Sequence, residues 1–333
     1  MKDDEATFYS KHYRTEYFLL DHKMILGDKD NRVCRFCGLP STQVKFKKDA
    51  HAVPELLGNK HVLTYYECDI CNQFFGDNLE NNLGNYSAPL RTLSLIRGKK
   101  GIPAYNKKGI DIRAKELMVQ IKVDPDSSLI EYDEDAGKIT PTLVKEPYIP
   151  MAVYKAYVKM ALTMMNESDF KDFPMTLVWI KETNHVLKRP KVKLYAYTKF
   201  VEGLHVFPSP EVYLLFRRSD APSFLPYAWM VLCTGNQVIQ IMIPYSDKDE
   251  GFKNYLEQEN TWRFIPHPEL LREGASDRLD WSGTEKIYNE PLQLTLVSRP
   301  GQITEEEGYD FSELLLEQGF EEDFKKFMAN RET

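Results

Sequence analysis

Two CxxC pairs, Cys34-Arg35-Phe36-Cys37 and Cys68-Asp69-Ile70-Cys71, stand 30 residues apart in this chain. Two such knuckles at domain-scale spacing are a common way to present four thiolates tetrahedrally to one Zn²⁺. The alternatives are two disulfides or four buried thiols. The first residues, MKDDEATFYSKHYRTEYF, lack the apolar run of a secretory leader, which points to a cytoplasmic setting and favours zinc over disulfides. Gly38 fits the turn that ends the first knuckle. Cys233, in the apolar run AWMVLC, reads as a small core residue.

The chain has 333 residues, 42% hydrophobic and 28% charged, a globular composition with room for two domains. No run approaches the roughly 20 apolar residues of a membrane helix. The net charge of −7 hides an asymmetry: residues 1–123 hold 20 Lys+Arg against 15 Asp+Glu, and the rest hold 23 against 35. A basic part joined to an acidic part suggests two units with different partners.

Apolar spacing predicts a helix or two over residues 5–26 and strands at Val44–Lys47 and Val62–Tyr66. It predicts a turn at Pro54–Asn59 and a helix from Asp69 to Leu83, with Phe75, Leu79 and Leu83 on one stripe. Residues 124–146 are acidic and turn-rich, a linker or hairpin. An amphipathic helix is expected from Met151 to Met165. Strands follow at Thr176–Ile180, Val192–Thr198, Val212–Phe216, Tyr227–Cys233, Val238–Ile243 and Leu292–Val297, with a hairpin turn at Thr234-Gly235-Asn236. An acidic helix is expected over Ser312–Asn330.

Between the knuckles runs DAHAVPELLGN, and the second knuckle reads ECDICNQFFGDNLE. With CRFCG, these stretches resemble the HNH endonucleases, in particular the subgroup with CxxC zinc knuckles. The resemblance covers about residues 33–83, extends weakly through RTLSLIRGKKG, and says little about residues 150–333. It implies a ββα-metal fold, with His51 as the general base and Asn72 as the last residue of the H-N-H trio, a ligand of a catalytic Mg²⁺ or Mn²⁺. It places Cys34, Cys37, Cys68 and Cys71 around a structural Zn²⁺ outside the reaction.

The chain departs from that pattern at Ala50, where many members carry the hairpin metal ligand. Asp49 shares a strand face with His51, because residues i and i+2 point the same way. It is therefore the candidate ligand, the alternative being a solvated acid. Asn59 is the candidate middle Asn, or a turn residue. Glu80 lies on a helical stripe with Asn72 and Gly76, as a third metal ligand or an exposed acid. His61 reads as surface, and His12, His22, His185, His205 and His267 as structural.

Residues 88–123 carry nine cations against Asp111 and Glu116. Arg91, Arg97, Lys99, Lys100, Lys107 and Lys108 are the candidate contacts to a nucleic-acid backbone, with Gly98-Lys99-Lys100-Gly101 as a flexible, positive segment. The expected fold class is α+β: a helical extension (1–32), the nuclease core with its basic arm (33–123), an acidic linker or hairpin (124–149) and a larger, mainly antiparallel α+β unit (150–333). That last unit is assigned to regulation, sensing or oligomerisation. The expected activity is metal-dependent phosphodiester hydrolysis, in DNA with RNA as the other substrate, and by analogy in bacterial anti-phage defence. The rival function is a zinc-knuckle nucleic-acid-binding module without catalysis.

Overall fold

The computed structural model describes residues 5–115, 118–124, 129–133, 138–185, 193–203, 205–259, 264–297 and 309–310. Helix α1 (Glu5–His12) leads into strands β1 (Tyr13–Leu19) and β2 (Met24–Leu26). After the first knuckle come β3 (Ala50–His51), a short 3-10 turn (Glu55–Leu57) and β4 (Val62–Thr64). A continuous helical run then comprises α2 (Asp69–Phe75), a π turn (Gly76–Glu80) and α3 (Asn81–Leu93). Strands β5 (Tyr105–Lys107), β6 (Ile110–Lys115), β7 (Met118–Val123), β8 (Ile130–Asp133) and β9 (Lys138–Val144) follow. Next are helices α4 (Pro150–Met164), α5 (Glu167–Phe170) and α6 (Pro174–Ile180). The remainder holds β10 (Tyr195–Val201), β11 (Phe207–Arg217), β12 (Ala228–Gly235), β13 (Gln237–Met242), α7 (Glu250–Glu259), β14 (Gly274–Asp280), β15 (Pro291–Gln293), β16 (Leu296–Val297) and β17 (Tyr309–Asp310).

The largest sheet has six strands in the order β1-β11-β12-β13-β10-β14, every neighbour antiparallel. Strands β12 and β13 are buried along their whole length. The turn expected at Thr234-Gly235-Asn236 joins them: Thr234 pairs with Gln237, and Gly235 takes the left-handed φ of +59°. Such a two-residue turn favours glycine, and a Cβ there would come within 2.6 Å of Ser94. A small sheet, β2-β4-β3, carries the segment between the knuckles, with β2 parallel and β3 antiparallel to β4.

The structure is a mixed helix and sheet fold with antiparallel sheets, as expected, but several elements differ. Among the described residues of the helical extension expected over 1–32, Glu5–His12 is a helix, and strands follow it. Tyr13–Leu19 is an edge strand on β11, and Tyr13 is buried with its hydroxyl donating to the Pro226 carbonyl. An aromatic-rich stretch finds better partners on a sheet edge than in a helix. Thr176–Ile180, expected as a strand, lies in α6, where Pro174 at the first helical turn pre-sets the backbone and the Thr176 hydroxyl bonds the Pro244 carbonyl. Val44–Lys47 forms no strand. The expected helix over Ser312–Asn330, and Val192 of an expected strand, lie outside the described residues.

Helix α4 is the largest departure. Its spacing predicts one polar face, yet every residue from Pro150 to Met164 is buried, Lys155 and Lys159 included. A helix enclosed on all sides has no solvent face to be polar. One hydrophobic cluster runs from Phe36, Phe75 and Leu83 of the knuckle region through α4 to Leu214, Leu232 and Trp281 of the large sheet and its flank. Among the described residues, no helix is long and apolar enough to cross a membrane.

Arg35, inside the first knuckle, closes the end of α4. Its Nη1 donates to the carbonyls of Leu162 (2.6 Å), Thr163 (3.0 Å) and Met165 (3.0 Å), and its Nη2 to Glu167 (2.6 Å). These are carbonyls a helix leaves unpaired at its C-terminus, where a cation also meets the negative end of the dipole. The guanidinium lies 3.4 Å from the Tyr66 ring centroid. Lysine cannot reproduce this planar fork. Arg35→Lys is expected to lower stability by about 2 kcal/mol, the scale of charged hydrogen bonds lost from a buried site; an unchanged denaturant midpoint would show that the fork contributes nothing.

Candidate functional site

The four knuckle sulfurs all lie within 4.8 Å of one another, with Cys37 and Cys68 Sγ 3.9 Å apart. A tetrahedral Zn²⁺ site with bonds of about 2.3 Å has sulfur–sulfur edges of about 3.8 Å. The first knuckle turns through Gly38, whose φ of +75° is left-handed, and Gly38 N–H donates to the Cys34 carbonyl at 2.7 Å. Cys34 is held down to about 5, first by the Cys71 thiol donating to it and then, against its burial, by backbone groups of Cys68, Cys37 and Phe36. Burial pushes Cys68 up to about 11, and donation to Cys34 pushes Cys71 far up. Protons alone leave this cluster with one favoured thiolate. A divalent cation at its centre offsets the mutual repulsion of four. The donor set fits zinc.

The segment between the knuckles is a short hairpin. Ala50 pairs with Thr64 and His51 with Leu63. Asn59 fixes the loop that joins β3 to β4: its Nδ2 donates to the carbonyls of Val53 (2.7 Å) and Val62 (2.8 Å), and its Oδ1 accepts from the amides of His61 (3.1 Å) and Val62 (2.9 Å). It is fully buried, so its side chain serves as a loop clamp, in keeping with the turn-residue alternative. Gly58, left-handed at φ +91°, ends the 3-10 turn beside it.

Strand alternation sends Ala50 inward while Asp49 is exposed and His51 half-buried. Burial holds the His51 imidazole below its ordinary 6.5, against the opposite pull of Glu55, Asp49 and Glu80; the Lys159 ammonium adds to the lowering. Three carboxylates are therefore close enough to act on one imidazole. Asn72 lies half-buried on α2, and its side-chain amide makes no hydrogen bond among the described residues. The stripe of Asn72, Gly76 and Glu80 is interrupted by the π turn, in which Asn81 N–H reaches back to the carbonyl of Gly76. Glu80 is half-buried, with Oε1 3.3 Å from Lys159 Nζ. Among the described residues, the four cysteines are the only group of three or more His, Cys, Asp or Glu donors close enough to share one ion.

Gly98 and Gly101 exchange backbone hydrogen bonds at 3.1 and 3.0 Å, so Lys99 and Lys100 stand at the tip of a tight turn rather than on a flexible segment. Arg97, Lys99, Lys100 and Lys108 are exposed. Lys107 pairs with Glu146 at 2.7 Å. Arg91 turns inward, its Nη2 donating to the Gly84 carbonyl at 3.0 Å, and so leaves the exposed set. Sequence reasoning missed two residues beside the site: Glu67, which directly precedes the second knuckle and is fully buried, and Lys159 of α4, 2.7 Å from it. The only hint of Glu67 was its place at the head of ECDICN; Lys159 reads as an ordinary solvated lysine until the fold encloses it.

The buried sulfurs belong to the same hydrophobic cluster as α4. Replacing Cys71 by Ser, or stripping metal with a strong chelator, is therefore expected to lower the melting temperature of the whole chain in one transition, because structural zinc contributes folding energy directly. Metal analysis should find one Zn²⁺ per natively purified chain. Absence of zinc, or melting untouched by its removal, would contradict this reading.

A family model described as HNH endonuclease matches residues 34–87. That span takes in both knuckles, the β3–β4 hairpin and the helical run as far as Ser87. Neither the curated proteins nor the solved structures give a match to this chain. The match points to nuclease chemistry and a nucleic-acid partner, and it identifies residues 34–87 as an HNH endonuclease-family segment within this chain.

Proposed function

We propose that this chain is a metal-dependent endonuclease that hydrolyses phosphodiester bonds, with DNA as its substrate and the cytoplasm as its setting. Residues 150–333 support and regulate the site. The observation that carries this reading is His51: a half-buried imidazole that burial keeps below its ordinary 6.5 against the charges of Glu55, Asp49 and Glu80, inside the HNH-matching segment. A neutral imidazole accepts a proton from an attacking water. Asp49, Glu80 and the amide oxygen of Asn72 are the oxygen donors for the divalent ion. A hard ion such as Mg²⁺ takes only one or two protein carboxylates and fills its other positions with water and phosphate, so the open donor set suits it. When bound, the ion would stabilise charge on the phosphate and the leaving oxygen. A cleft of about 220 Å³ beside Asp49 is also walled by Arg32 and Lys48, cations suited to a phosphate backbone. The zinc stands apart, holding hairpin and helix together.

The binding-module reading draws on two observations: Ala50 occupies the usual ligand position, and among the described residues only the cysteines form a closed donor group. Plasmid cleavage in Mg²⁺, Mn²⁺ or EDTA separates the two. His51→Ala is expected to slow cleavage by about 10²–10⁴-fold with DNA binding and zinc content retained. Because burial lowers the His51 pKa, protonation disables the base only below pH 6.5, and the acid limb of the rate profile should lie under that value. Wild-type rates from His51→Ala would leave the binding module as the better account.

The exposed cations give a second test. Neutralising Arg97, Lys99, Lys100 and Lys108 together should weaken DNA binding. If all four meet phosphates, the slope of log K against log salt should flatten by about 0.9 per contact. Unchanged binding at every salt concentration would make them ordinary surface.

A further inference from the structure

Beside His51 one ammonium meets two carboxylates. Lys159 Nζ lies 2.7 Å from Glu67 Oε2 and 3.3 Å from Glu80 Oε1. Glu67 and Lys159 are fully enclosed, while Glu80 keeps partial contact with solvent. Neither Glu67 oxygen has a hydrogen bond of good geometry, so the ammonium is its only ionic partner among the described residues. The ammonium also lies over the rings of Phe36 and Phe75, whose centroids are 5.9 and 5.8 Å from Nζ. Enclosing such a group costs several kcal/mol per ion, and well-packed apolar residues often serve stability as well or better. Stability is therefore a weak reason for it. Position is a stronger one: the Glu67 charge and the two rings fix Nζ, and Nζ fixes one oxygen of Glu80. The second oxygen, Oε2, has no hydrogen bond or ion pair among the described residues.

We propose that Lys159, backed by Glu67, is a positioning residue that holds Glu80 as a one-oxygen ligand for the catalytic divalent ion. This rests on the nuclease reading above and adds to it a residue from α4, far outside the family-matched segment. The ammonium also neutralises the enclosed Glu67, so that the ion meets the single negative charge of Glu80 rather than two. Groups that orient a metal ligand in this way commonly govern affinity by 10–100-fold when removed.

The test is the double variant Glu67→Leu with Lys159→Met. It removes the enclosed pair as a unit and leaves Glu80 in place without the group that orients it. Methionine fills the lysine volume and packs well against aromatic rings. Zinc content and melting temperature check the fold. Mn²⁺ binding is read without DNA from the electron paramagnetic resonance signal of free Mn²⁺, and the half-saturating Mn²⁺ for plasmid cleavage is read alongside. Both are expected to rise about 10-fold, with DNA affinity in EDTA unchanged. Should the double variant lose its zinc, Lys159→Arg carries the test: it keeps the charge but not the ammonium geometry, and a rise smaller than that of the double variant is expected. An unchanged Mn²⁺ requirement in a folded variant overturns the proposal and leaves the nuclease reading standing. A wild type that binds Mn²⁺ but cuts nothing overturns the nuclease reading, while the binding comparison still decides the role of Lys159. A wild type that binds no Mn²⁺ overturns both.

Discussion

The carbonyls of Leu162, Thr163 and Met165 converge at the end of α4 on one guanidinium, that of Arg35 in the first knuckle. Much of the remaining architecture depends on that meeting. An enclosed helix cannot turn its last carbonyls to water, so a protein donor must supply what solvent would. The donor sits between two cysteines, so the cluster that shapes the knuckle also sets where α4 ends. One turn back along the same helix, Lys159 reaches Glu67 and Glu80. The tip of the β12–β13 hairpin adds a third tie, the Thr234 hydroxyl donating to the Leu57 carbonyl at 2.7 Å. Knuckle, hairpin and large sheet are thus joined through polar groups removed from water, where geometry matters most.

Those joins divide the labour in the HNH-matching segment. The cysteines and Asn59 are engaged with the chain itself. His51, Asp49, Asn72 and one oxygen of Glu80 remain open. The structural groups are deeply enclosed, with Cys37 the exposed exception, and the open ones are half-buried or exposed. A reactive site needs that gradient, since its groups must meet solvent and substrate while their supports stay fixed.

The knuckles and the β12–β13 turn were legible in the sequence because each rests on a short-range rule: ligand spacing, or a glycine at a left-handed turn. The family match over residues 34–87 agrees with the resemblance read from the motifs. Tyr13–Leu19 was misread because its aromatic residues also fit a helical spacing, and only β11, about 200 residues away, decides the matter. The amphipathic helix expected over Met151–Met165 has no solvent face, since Lys155 and Lys159 are enclosed with Glu182 and Glu67 as partners. Arg91 counted as a surface cation until the path of α3 turned it inward. Local pattern reveals what a segment prefers; it does not reveal which ions the final packing will enclose together.

The sharing of α4 also bears on how such a chain can change over evolutionary time. A nuclease segment that ended its own core could be moved between proteins like a cassette. This one lacks its own cap-binding helix end and its own counter-ion for Glu67. Carried to another chain, residues 34–87 would arrive with an unpaired buried carboxylate and a guanidinium seeking carbonyls. Inheritance therefore favours the knuckles and α4 travelling together, and drift at Arg35, Glu67 and Lys159 should be correlated even though two of these residues lie in the family-matched segment and the third well beyond its end.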